Sequence, residues 1–87
     1  MDNIRDNYKE LVERQSKDYK WELSEHAKDV MISLLMTRDK QWVGGDFVQS
    51  VLSNDLGQTI RRADSEMIKC LKEMVIAKDN FYLGNTY

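Results

Sequence analysis

Residues 1–43 contain no glycine, and the whole chain of 87 residues contains no proline. Nothing in that first half forces a break, because the two residues that disfavour helix interiors are missing from it. Ile4, Tyr8, Leu11 and Val12 recur at helical spacing, with Asp2 or Asn3 placed to cap the start. Glu10–Arg14 and Glu13–Lys17 are oriented as favourable i,i+4 pairs, each contributing a few tenths of a kcal/mol. Tyr19, Trp21 and Leu23 then alternate as in a strand, but a lone strand has no partner elsewhere in the sequence. A kink, a loop or continued helix fits better. Ser24 is positioned to cap a second helical segment with Ala27, Val30, Met31, Leu34 and Leu35 on its inner face.

Glycine appears where the pattern changes. Three of the four glycines fall within residues 42–64, which interleave apolar, amide, carboxylate and guanidinium side chains more tightly than any other stretch. Gly44-Gly45 precedes Asp46, a natural N-cap for a helix that would bury Phe47, Val48, Val51, Leu52 and Leu56. Gly57 marks a bend or restart, 59–63 reads as a short helical piece, and Asp64 reads as the cap of a last helix. That helix, 65–78, carries Met67, Ile68, Leu71, Met74 and Val75 as an apolar stripe. An aromatic tail, 80–87, either folds back on the bundle or docks on another subunit.

These patterns predict one all-α domain over 1–87, a small bundle of three to five helices. It divides into a charged N-terminal region (1–40), the motif stretch (42–64), the C-terminal helix and the tail. A domain this short buries a smaller fraction of its surface than a larger one does, so homo-oligomerisation is expected as well. Basic and acidic residues number 13 and 15, with eight and nine of them through Lys40 and five and six beyond it. Neither half is basic, which argues against duplex nucleic acid as a partner. The single cysteine, Cys70, and the absence of a recognisable leader fit a reducing cytoplasmic setting. The most apolar run, 30–36, is far short of a membrane span.

Catalytic constellations are hard to assemble from one histidine, His26, and one cysteine, and structural zinc needs more of both. The chain therefore reads as non-enzymatic, with no catalytic residue, no metal and no cofactor. A ligand site is conceivable within the motif stretch. Gly44 and Gly45 could present backbone N–H groups to an anion at a helix start. Asp46 capping those groups itself accounts equally for the turn. Arg61 and Arg62 could clamp phosphate or carboxylate, or pair with Asp55, Asp64 or Glu66. A buried Asn54–Asp55 pair would either specify the fold or read a ligand's polar edge.

The order Gly44-Gly45-Asp46-Phe47-Val48, Val51-Leu52, Asn54-Asp55-Leu56, Ile60, Arg62-Ala63-Asp64, then Leu71 and Met74-Val75 resembles a widespread group of small phage and prophage proteins. The likeness spans about residues 43–80. Met67 stands where the group usually has asparagine, and Trp42-Val43 where prolines often precede the glycines. The group has no established activity to carry over, so the resemblance implies an origin: an accessory factor that disarms or redirects a host. The expected route is a sponge, an oligomer that binds and sequesters a small phosphorylated signal, a cyclic nucleotide or a cyclic ADP-ribose relative. Trp42 or Phe47 would stack, Gly44 and Gly45 would supply amides, Asn54 and Asp55 would read polar edges, and Arg61 or Arg62 would hold phosphate. The other route is direct binding to a host protein through Trp21, Trp42 and the Phe81-Tyr82 tail.

Overall fold

The structure, a computed structural model, describes residues 4–83. The proposed cap at Asp2 or Asn3 and the end of the tail, 84–87, lie outside them. Six helices and no strand are found among the described residues: α1 (Ile4–Tyr19), α2 (Glu25–Arg38), α3 (Asp46–Leu52), α4 (Leu56–Arg62), α5 (Ser65–Lys69) and α6 (Leu71–Asn80). The all-α expectation holds. The number exceeds the expected three to five because the last helix is cut at Cys70, whose ψ of 19° departs from helix geometry. The Cys70 thiol donates to the Glu66 carbonyl, which its own N–H also uses, and a side chain entering the ladder bends a helix there.

The centre of the fold is α2. Ala27, Met31, Ile32, Leu34, Leu35 and Met36 are all buried, so apolar side chains surround much of the helix rather than one stripe. Helices α1, α3 and α6 pack on it. Ser24 caps α2 as expected, its hydroxyl accepting from the Ala27 N–H at 3.0 Å. Helix α1 contributes Tyr8, Leu11 and Val12 to the core, while Ile4 stays partly exposed at its edge. Lys20, with φ 61°, ends α1, so the Tyr19–Leu23 alternation becomes a loop rather than a strand. Glu13 reaches across to Lys28 of α2 at 3.2 Å.

One polar knot ties three helices together. The Tyr8 hydroxyl donates to Asp39 at 2.8 Å, and Arg38 grips the same carboxylate at 2.7 and 2.9 Å. Arg38 also donates to the Lys78 carbonyl at 2.9 Å and lies 4.3 Å from the centre of the Tyr82 ring. A guanidinium there satisfies carbonyls left open at the end of α6 and faces the negative end of its dipole. Burial, followed by the bond to Asp39, pushes the Tyr8 phenol up to about 12, and the Arg38 guanidinium holds the Asp39 carboxyl below its usual range.

Ser16 is the exception to this economy of polar groups. It is 4% exposed, and its hydroxyl has no hydrogen-bond partner. A buried unpaired hydroxyl is costly, and alanine is the better helix former. Ser16→Ala is therefore expected to stabilise the fold by about 1 kcal/mol, seen as a raised urea midpoint with unchanged slope.

Candidate functional site

The motif stretch forms the joints of the α2–α3–α4–α5 path. Its first joint is Gly44, whose N–H donates to Thr37 Oγ1 at 2.9 Å, while Thr37 in turn donates to the Ser33 carbonyl at 2.7 Å. A Cβ on Gly44 would lie 2.8 Å from Thr37 Oγ1, 2.9 Å from Val48 Cγ1 and 3.0 Å from Ser33 Oγ. The glycine is there because the loop presses against α2 and α3. Gly45 has no such neighbour and remains exposed.

Helix α3 starts at Asp46, one residue earlier than expected, with Gly45 as an N-cap that has no side chain to offer. Asp46 is thus not the capping residue. Its carboxylate sits in the first turn and pairs with Arg62 at 3.1 Å, both side chains being exposed. An anion at this helix start would meet a carboxylate already placed at the positive end of a seven-residue helix.

The second joint runs through Ser53, Asn54 and Asp55. Asn54 adopts φ 60°, the left-handed region that asparagine tolerates better than most residues. Its amide oxygen accepts from Lys78 at 3.2 Å, and Asp55 caps α4 by accepting from the Gln58 N–H at 3.1 Å. Both residues are exposed, so the expected buried amide–carboxylate pair does not form. The restart falls before Gly57, which lies in the first turn of α4. Beneath it, Thr59 donates to Ser50 at 3.1 Å, a buried hydroxyl pair joining α3 to α4.

The third joint is Asp64, which caps α5 through the Met67 N–H at 2.8 Å. That bond, with a smaller contribution from His26 3.3 Å away, lowers the Asp64 carboxyl below its usual range.

The eight ligand candidates consequently do not converge on one point. Trp42, Gly45 and Phe47 line an open cleft of about 440 Å³ together with Arg5, His26 and Asp29. Asp55 and Arg62 belong to a neighbouring recess of about 340 Å³, separated from the first by Asp46, which lines both. Asn54 lines a third recess beside α6, Gly44 is packed, and Arg61 points from the exposed side of α4. The cleft walls supplied by α2 were not anticipated. A signal existed in hindsight: His26, Asp29, Val30, Ser33 and Thr37 recur at three and four residues, one helix face leading to the glycine loop.

Charge in the Trp42 cleft is balanced by ion pairs. Arg5 binds Asp29 at 3.1 Å, and Asp46 is held by Arg62 from outside the cleft. Trp42, which lines the cleft, is 57% exposed, and the adjoining Val43 is 80% exposed. Among the described residues no group of histidine, cysteine and acidic side chains is arranged to hold a metal ion, and no helix is long and apolar enough to cross a membrane. Compared with protein-family models, curated proteins and solved structures, the chain matches none of them.

Proposed function

We propose that this is a non-enzymatic, phage-type accessory protein that acts in the host cytoplasm by direct contact with a host protein, an anti-defence or host-takeover role. The observation that carries the reading is the Trp42 cleft: an exposed indole beside an apolar wall of Phe47, Val48 and Val30. With its acids already paired with Arg5 and Arg62, the cleft suits an apolar or aromatic side chain of a protein partner, or the stem of a long one laid along the indole. Of the anchors expected from sequence, Trp42 projects furthest, at 57% exposed, while the 45% exposed Tyr82 has Arg38 over its ring. Trp21 stacks on Phe81 at 5.7 Å, and Phe81 is 1% exposed.

The second reading, a sponge for a cyclic nucleotide or ADP-ribose type of signal, is supported by Trp42, Gly45 and Phe47 sharing one cleft, with Arg62 in the neighbouring recess bonded to Asp46 between them. Exposed ion pairs contribute only about 0–1 kcal/mol, so a phosphate could replace Asp46 on Arg62. Among the described residues the cleft offers no surplus cation, because Arg5 is already paired with Asp29.

Two substitutions separate the readings. Trp42→Ala is expected to weaken capture of the host protein from infected cells by at least about tenfold, whereas Arg62→Ala leaves it within about twofold. A sponge requires both variants to lose calorimetric binding to cyclic di- and trinucleotides or ADP-ribose derivatives. Capture that survives Trp42→Ala, alongside nucleotide binding that does not, would overturn the protein-binding reading.

A further inference from the structure

Between α4 and α6 lies an apolar face separate from the Trp42 cleft. Leu56 is 65% exposed, Ile60 50% and Val75 40%. Leu56, Thr59, Leu71 and Val75 enclose a recess of about 140 Å³ with Val51 against it, and Asn54, bonded to Lys78, at one edge. Ile60 follows Leu56 by one turn and shares its side of α4. A space of roughly 150 Å³ holds one benzene-sized group, so a single branched aliphatic side chain fills such a recess.

We propose that this face pairs with the same face of a second copy of the chain, the two α6 helices running antiparallel about a twofold axis. The charge pattern on α6 selects both the occupant and its direction. Lys72 and Asp79 are exposed and lie three and four residues either side of Val75, so the three form one stripe with opposite charges at its ends. In a twofold interface, whatever one residue meets in the other copy must meet it in return. With the axis passing beside Val75, each Lys72 faces the partner's Asp79, and the apolar recesses cover one another. Parallel pairing would instead set lysine against lysine and aspartate against aspartate, which like-charge repulsion opposes. Asp79 can turn to a second cation, because its own side chain is 57% exposed and its contact with the adjacent Lys78 is 3.3 Å long. This assembly does not depend on what the Trp42 cleft binds.

Sedimentation or light scattering of the full chain over a range of concentrations tests it. The expected mass is twice 10.3 kDa at high concentration. Leu56→Glu is expected to raise the dimer dissociation constant by about a hundredfold, since a carboxylate would be buried unpaired. Lys72→Glu or Asp79→Lys alone should raise it about tenfold, and the double exchange should restore it, with the rescue fading as salt rises. Helical circular dichroism should stay unchanged, because every altered side chain is exposed. A wild-type chain that stays monomeric, a dimer indifferent to Leu56→Glu, or a double exchange no better than the singles would each overturn the proposal.

Discussion

Phe81→Ala is expected to cost about 3–5 kcal/mol of stability, the range for removing a buried aromatic ring. A chain of this length has a total stability on the order of 4–13 kcal/mol, so the loss is a large part of it. Phe81 follows the last residue of α6, and its ring is 1% exposed. It lies 5.7 Å from both Trp21 and Tyr19, which stack on each other at 4.7 Å. The three rings fasten the end of the last helix to the turn between the first two. In a close-packed interior no neighbouring side chain can fill the hole without leaving its own site. The expected drop in melting temperature is on the order of 15–30 °C. Trp21 emission reports the same event in a Trp42→Phe background, where loss of the stacked ring should shift it to the red before global unfolding. Tyr19→Ala should be milder, since Tyr19 is 45% exposed and less area returns to water. Equal costs for the two would mean that the cluster is not centred on Phe81.

That cluster also marks where sequence reading stops. Trp21 and Phe81 are sixty positions apart, and nothing local says that they touch. What was legible is local by nature. Ser24 and Asp64 were read as caps and are caps, because a short oxygen side chain before an apolar periodic run is a signal carried within four residues. Asp46 looked the same and differs, because a guanidinium sixteen residues away takes its carboxylate and the helix begins a residue early. Asn54-Asp55 was legible as a pair of special residues but not in kind. One supplies a left-handed turn and the other the cap that follows it, both exposed, where a buried polar pair was expected.

The same physics explains why a motif crowded in sequence is spread in space. Three helix starts within twenty residues each turn the chain, so neighbours along it face different recesses. Gly44, Asn54, Asp55 and Asp64 are then accounted for by the turns they make and the groups they cap. Trp42, Val43, Phe47 and the exposed Asp46–Arg62 pair are not needed for any joint, and they are the residues around which a partner-binding cleft is proposed.

Gly44→Ala separates the architectural part of that motif from the rest. The backbone angles at Gly44 are ones other residues adopt, so the glycine is required by contact rather than by conformation. The added methyl would sit 2.8 Å from Thr37 Oγ1 and 2.9 Å from Val48 Cγ1. Neither atom yields easily: both belong to β-branched side chains with stiff χ1 angles, and Thr37 is held by bonds to Ser33 and to Gly44 itself. Overpacking of this kind costs about 1–3 kcal/mol, and losing the Thr37 acceptor adds to it if the loop backs away. Gly45→Ala, one residue on, meets nothing within 4 Å, so its cost is limited to exchanging glycine for alanine at the α3 N-cap, about 0.5–1 kcal/mol. Denaturation midpoints of the two variants therefore check the assignment directly. Equal effects would show that the glycine pair acts as a flexible unit. A stable Gly44→Ala that loses its partner would move Gly44 from the scaffold to the binding surface.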